Sequence, residues 1–148
     1  MVVTFFGHAD FQGEAKFKNK IENILEEFSF QQIDFYLGGY CNFDSFALRV
    51  CQEYKRKYPS TKLIYITPYL GSFLDKRKDY LEKIYDEILY PPIENVLLKF
   101  SISKRNRWIV EKADLLIVYV ERNYGGAYKA CKYAWKNKKK VVNLYKTV

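Results

Sequence analysis

The chain is poor in the residues that most often bind metals or cross-link small secreted domains. It has one histidine, His8, and three cysteines, Cys41, Cys51 and Cys131, and none of these has a metal-ligand spacing. An odd number of cysteines without regular spacing does not suggest a disulfide framework, and cytoplasmic thiols stay reduced. The sequence therefore predicts no metal site and three free, buried cysteines.

Long apolar runs are also missing. No stretch approaches the roughly 20 apolar residues of a membrane-spanning helix, so no membrane partner is expected. The first residues, MVVTFFGHAD, lack a basic leader in front of an apolar segment, which is not the pattern of a secretory signal. These features together predict a cytoplasmic protein.

Apolar and aromatic side chains are abundant. Of the 148 residues, 49% are hydrophobic and 18% are aromatic, which predicts one globular domain, residues 1–148, with a real core. The net charge of +8 suits an anionic partner, but the cations form short groups and no continuous basic stripe. Most of them fall on polar helix faces, where solvation alone explains them. These groups are residues 16–20, 55–57, 76–78, 104–107 and 136–140.

The most informative stretch is residues 101–144. Residues 115–120, LLIVYV, form an apolar run that favours a parallel strand buried on both faces. Gly125 and Gly126 follow, and residues 127–135 then have helical spacing. Glycines between a buried strand and a helix leave backbone N–H groups open to an anion, which the helix dipole also favours. A tight turn without a ligand is the alternative, because two glycines lack the full phosphate-binding fingerprint.

Predicted strands and helices alternate along the whole chain. This order predicts an α/β fold: a doubly wound, mostly parallel, five-stranded Rossmann-like sheet with helices on both faces. The predicted strands are residues 2–6, 33–37, 62–67, 115–120 and 141–144. The predicted helices are residues 14–28, 43–57, 75–88, 102–112 and 127–135, and the role of residues 70–98 is unassigned.

Glycine turns follow three of the five predicted strands. Gly7 follows the first strand, Gly38 and Gly39 the second, and Gly125 and Gly126 the fourth. In doubly wound sheets, ligands bind outside the carboxyl ends of the strands, near the point where the strand order reverses. We therefore expect the three turns to converge on one phosphate-binding pocket.

Five motifs in this chain also occur together in one known superfamily. They are TFFGHADF, FYLGGYCNFDSFAL, ISKRNRWIVEKADLLIVYV, YGGAYKACKYA and VVNL. On these motifs the chain resembles the SLOG superfamily, the Rossmann-like domains shared by the DNA-processing protein A group and the Lonely Guy phosphoribohydrolases. The likeness is strongest to a small bacterial subfamily of unknown function, and weakest over residues 70–98. It implies a nucleotide or nucleotide-derived ligand at the carboxyl ends of the strands.

The Lonely Guy hydrolases offer a test of enzyme activity. Their arginine on the helix before the fourth strand is matched by Arg105, and their Gly-Gly pair is matched by Gly125 and Gly126. Their glutamate, which supports cleavage of the N-glycosidic bond, is replaced by Lys132. A lysine cannot stabilise oxocarbenium-like charge or activate water. The resemblance therefore does not carry this hydrolase activity over, and enzyme activity stays open.

Arg105 and His8 are candidates for ligand contacts. Arg105 is chosen for a phosphate or ribose contact, mostly on the resemblance, through its forked donors. Arg107 lies about 200° further around the same predicted helix, so the two arginines cannot face one pocket. His8 is as suited to a ligand contact as to a structural turn, and a role as acid or base is the less favoured interpretation.

The remaining candidates each have a structural alternative. Asn42 and Asp44 follow the second glycine turn, where they are either helix caps or contacts to a ribose or base. Tyr124 and Tyr40 lie beside glycines and could stack on a base, although simple packing explains them equally well.

The leading interpretation is a sensor or regulator that binds a nucleotide, ADP-ribose or another NAD-derived molecule. The first alternative is an N-glycosidase acting on nucleoside monophosphates, with Asp44 or Glu121 as its carboxylate. The second is single-stranded DNA binding, as in the DNA-processing relatives, which the scattered cations favour less. The resemblance also implies a homo-oligomer, with residues 70–100 as a contact.

Overall fold

The computed structural model describes residues 1–39 and 41–146, and within them six strands form one parallel sheet. The sheet order is β4-β3-β2-β1-β5-β6, and each neighbouring pair runs parallel. The strands are β1 (Val2–Gly7), β2 (Asp34–Leu37), β3 (Lys62–Ile66), β4 (Glu87–Leu89), β5 (Leu115–Tyr119) and β6 (Lys140–Asn143). The doubly wound, Rossmann-like fold predicted from the sequence is confirmed.

The helices cover both faces of this sheet. They are α1 (Ala15–Glu26), α2 (Asn42–Lys57), α3 (Ser72–Asp75), α4 (Lys78–Ile84), α5 (Ser101–Lys112) and α6 (Gly126–Lys136). A 3-10 turn, Leu98–Phe100, leads directly into α5. Within residues 1–39 and 41–146, no helix has the length and apolar character needed to span a membrane.

The central strand β5 shows how the sequence builds two cores. Successive side chains of a strand point to opposite faces, so an unbroken apolar run suits a strand covered on both sides. Leu115 and Ile117 pack with α1 and α2, whereas Leu116 and Val118 pack with α5 and α6. All four side chains are fully buried.

The prediction was wrong in one strand and one helix. The sequence predicted five strands and a helix over residues 75–88, but β4 takes the end of that segment and two short helices take the rest. Hydrogen bonds of Asp86 explain why the chain changes from helix to strand at this point. Its backbone N–H donates to the Leu63 carbonyl, and its carboxylate accepts the Leu63 N–H at 2.8 Å. The segment therefore pairs with β3 and extends the sheet.

The order of strands reverses at β1. From β1 to β4 the chain moves outward to one edge, and β5 then returns to the other side of β1 before β6 completes the sheet. Gly7 and Tyr119, the last residues of β1 and β5, are register partners. The turns after these two central strands therefore lie next to each other, as expected for a ligand crevice in such sheets.

Candidate functional site

A cavity of about 300 Å³ opens where the strand order reverses. It is lined by the turns after β1, β2 and β5 together with one face of α5, so glycines of all three predicted turns lie around one cavity. Of the residues proposed from the sequence, eight line this cavity: Gly7, His8, Gly38, Asp44, Arg105, Tyr124, Gly125 and Gly126.

The glycines in this lining do two different things. A side chain at Gly7 would overlap the Phe43 ring, with only 2.2 Å between its Cβ and the ring, and one at Gly38 would press on the Arg105 guanidinium at 3.3 Å. Gly125 and Gly126 instead border open space, and apart from the adjoining backbone no described atom lies within 4 Å of where a Cβ would be. The first two glycines permit close packing, and the last two leave room for a ligand at the start of α6.

Arg105 is a buried cation in the cavity wall, with 3% of its surface exposed. Its Nη1 donates to the Ile66 carbonyl at 2.8 Å, and its Nε donates to the Asn106 side-chain oxygen at 3.0 Å. The bond to Ile66 ties α5 to the end of β3, and the two bonds together hold the guanidinium beside Gly38. Arg105 therefore places a positive charge in the wall of the cavity.

His8 joins the two central turns. The residue is 4% exposed, and its Nε2 accepts a hydrogen bond of 3.0 Å from the backbone N–H of Glu121. Burial, followed by the charge of Arg122, lowers the pKa of His8 below its ordinary value of 6.5. The ring is therefore neutral at pH 7, and because Nε2 accepts, its proton lies on Nδ1.

Asp44 and Cys41 meet at the start of α2. The Asp44 carboxylate accepts the Cys41 backbone N–H at 3.3 Å, and the two residues form a capping box. The Cys41 thiol bonds to the Gly7 carbonyl at 3.6 Å, and burial raises its pKa to about 11, so it is no thiolate nucleophile. Asp44 thus caps a helix, as one interpretation of the sequence predicted, and also faces the cavity.

Three other candidates lie outside the cavity lining. Gly39 has φ +62° and packs near the Tyr65 ring, and Asn42 is exposed at the start of α2. Glu121 contributes its backbone to the bond with His8, but its side chain is exposed outside the lining. Among the described residues that line the cavity, Asp44 is the only carboxylate. Tyr40 lies outside the residues that the structure describes.

A second groove, which we call the α5–α6 groove, adjoins the cavity. It has a volume of about 690 Å³ and shares Ile102, Asn106 and Gly126 with the cavity lining. Five cations line it: Lys99, Arg107, Lys129, Lys132 and Lys136. Arg105 and Arg107 therefore face different sites, as their helical spacing predicted.

The groove was not predicted from the sequence because its cations come from separate segments. Lys129, Lys132 and Lys136 are spaced three and four residues apart on α6, which places them on one helix face. That spacing is the signal that could have revealed them. Together α5 and α6 carry seven lysines and arginines but one acidic residue, Glu111. The positive charge is thus concentrated on this face of the sheet.

No protein-family model matches the chain, and no curated protein sequence shows significant similarity to it. Solved structures do match. DNA processing protein A from Streptococcus pneumoniae has a TM-score of 0.61 at 17% identity, over 94% of this chain and 48% of the other. The same protein from Helicobacter pylori has a TM-score of 0.61 at 18% identity, over 95% and 63%.

The chain has the fold of DNA processing protein A. The Rossmann-like fold that the resemblance to the SLOG superfamily implied is thereby confirmed. The chain spans about half to under two thirds of the length of these structures. The Helicobacter pylori protein binds single-stranded DNA.

The structure also places the residue that departs from the Lonely Guy pattern. Lys132 lies in the α5–α6 groove and does not line the cavity. Helix α6 contains no aspartate or glutamate, so no residue of this helix can supply the missing carboxylate. This placement gives no support to a hydrolase activity of the Lonely Guy type.

Proposed function

We propose that the chain binds a nucleotide or an NAD-derived small molecule in the cavity at the carboxyl ends of β1, β2 and β5. The observation that carries this proposal is the convergence of three turns and one buried arginine, Arg105, on a single cavity. Such crevices are where doubly wound sheets bind ligands. The cavity volume of about 300 Å³ is at the lower end of small-molecule sites, which suits one nucleotide unit.

The phosphate would lie at the start of α6. Gly125 and Gly126 border open space there, and the first backbone N–H groups of a helix have no partner within the helix. Arg105 adds a positive charge in the wall of the same cavity. Tyr124 is 66% exposed on the cavity rim, where its ring can stack on a base. Asp44 would accept hydrogen bonds from a ribose.

The test is a binding screen with a variant that fills the phosphate position. Gly126→Val adds a side chain where, apart from the adjoining backbone, no described atom lies within 4 Å, so the fold should persist while the cavity narrows. AMP, ADP-ribose and NAD would be tested by thermal shift and calorimetry. We expect at least one of them to raise the melting temperature of the native protein, since a ligand that binds only the folded state stabilises it. Gly126→Val should weaken that binding about tenfold or more, roughly 1.4 kcal/mol.

The matched control is Ala15→Val. Ala15 is the first residue of α1, as Gly126 is of α6, and it is exposed outside the cavity lining. This variant should bind as the native protein does. The proposal fails if no nucleotide binds the native protein, or if Gly126→Val binds as tightly as Ala15→Val.

A second candidate function is single-stranded DNA binding, and the α5–α6 groove is the observation that favours it. Its five cations continue directly from the cavity, so a strand with one nucleotide in the cavity could extend along them. The fold shared with DNA processing protein A, whose Helicobacter pylori form binds single-stranded DNA, supports this candidate.

A further inference from the structure

An ion pair joins two of the turns beside the cavity. Arg122, in the turn after β5, binds Asp10, in the turn after β1, through both of its terminal nitrogens. The distances are 3.2 Å from Nη1 to Oδ2 and 2.7 Å from Nη2 to Oδ1. This two-pronged geometry is the one by which arginine binds either a carboxylate or a phosphate.

The two partners of this pair have different surroundings. Arg122 lines the cavity, and its side chain is 28% exposed, whereas Asp10 lies outside the lining and is 66% exposed. The Arg122 guanidinium also lies 5.3 Å from the centre of the Tyr124 ring, which can support it without Asp10. The bond between His8 and Glu121 joins the same two turns, so they stay together when the ion pair opens.

The partner of Arg122 is itself an anion, so a phosphate has to compete with it. The hydrogen bond from Arg122 lowers the pKa of Asp10, so this carboxylate is ionised at neutral pH. Gly125 and Gly126, close along the chain, leave open space that a phosphate can enter. An exposed ion pair contributes little stability, and a phosphate carries more negative charge than a carboxylate.

Resting on the nucleotide-binding function proposed above, we propose that Arg122 is a phosphate-binding residue of the cavity and that Asp10 is its internal competitor. In the free protein, Asp10 occupies the donors of Arg122. When a phosphate-bearing ligand binds, Arg122 exchanges Asp10 for the phosphate. Only molecules in which the ion pair is open can bind the phosphate through Arg122. Asp10 therefore reduces the apparent affinity for the ligand in proportion to the fraction of such molecules.

The experiment measures AMP and adenosine binding by calorimetry in four proteins: native, Asp10→Asn, Arg122→Gln and the double variant. Asp10→Asn should bind AMP about two- to sixfold more tightly than the native protein, the range expected for one exposed ion pair. Arg122→Gln should bind AMP more weakly. Adding Asp10→Asn to Arg122→Gln should change AMP affinity little, because the competition needs Arg122. Adenosine, which lacks the phosphate, should bind native and Asp10→Asn equally.

Glu14→Gln is the charge-matched control. It removes one exposed carboxylate between β1 and α1 without touching Arg122, so it measures the general effect of lost negative charge. If the native protein binds AMP and Asp10→Asn binds it no more tightly, Asp10 is not a competitor for Arg122. The proposed nucleotide site would be unaffected by that result. An equal gain for Glu14→Gln would overturn the role of Asp10 as competitor too. ADP-ribose is titrated into the same four proteins. If none of them binds AMP or ADP-ribose, the proposed function fails together with this inference.

Discussion

At the scale of single residues, His8 links the two central turns through an acceptor that protonation would remove. The folded state lowers its pKa below 6.5, so the unfolded chain binds more protons when the pH falls through this region. The contribution of neutral His8 to the free energy of unfolding should therefore be complete above about pH 6.5. It should decline as the pH falls toward the pKa of His8 in the folded state. Urea unfolding from pH 5 to 8 should show this slope, with a ceiling of about 1.4 kcal/mol per pH unit for one proton.

A change in the free energy of unfolding near pH 6 can be assigned to His8 because it is the only histidine in the chain. His8→Gln is the control: its side-chain oxygen can accept the Glu121 N–H, but it does not titrate. We expect the slope between pH 5.5 and 6.5 to flatten in this variant. A native protein with no slope there, or a variant with the same slope, would contradict the neutral, accepting histidine.

At the scale of elements, local pattern predicted most of the sheet but not β4. The apolar runs of β1, β3 and β5 are visible in the sequence because parallel strands covered on both faces need them. Strand β4 has three residues, Glu87–Leu89, and the preceding residues have helical spacing. Its pairing depends on contacts between Asp86 and Leu63, 23 residues apart, which no local pattern contains.

Asp86 is therefore expected to stabilise the pairing of β4 with β3 at the edge of the sheet. Its carboxylate accepts the Leu63 N–H and pairs with Lys55, and these contacts outweigh burial, so its pKa is lowered. Asp86→Ala should destabilise the protein by about 1–2 kcal/mol, since it leaves a partly buried donor without its acceptor. Urea unfolding measures this loss. Asp86→Asn keeps an acceptor for Leu63 and should cost less; an equal cost for both variants would count against the hydrogen bond.

At the scale of the whole molecule, topology explains which part of the site the sequence could predict. Turns at the carboxyl ends of central parallel strands must lie near one another. The proximity of their glycines could therefore be predicted from the sequence alone. Gly39 and Asn42 do not line the cavity because of the direction that the chain takes after β2, and the sequence pattern does not reveal that direction. The α5–α6 groove depends on two helices, distant in sequence, packing side by side. Its basic character is a property of the assembled fold.

This distribution of charge gives a quantitative prediction for single-stranded DNA. If the strand follows the α5–α6 groove, replacing Lys129, Lys132 and Lys136 by glutamine removes about three phosphate contacts. The slope of log K against log salt should then become less steep by about 2, because each contact with a single strand contributes about 0.7. Fluorescence anisotropy with an oligothymidylate from 50 to 300 mM salt measures both slopes.

The control for this triple variant must lose the same charge elsewhere. Lys76, Lys78 and Lys83 lie near α3 and α4, away from the groove lining, and their replacement by glutamine also removes three charges. This control should keep nearly the native salt slope, since its lysines contact no phosphate in the groove. Equal slopes for the two triple variants would show that DNA is attracted by net charge alone, and the α5–α6 groove would then have no role in binding the strand.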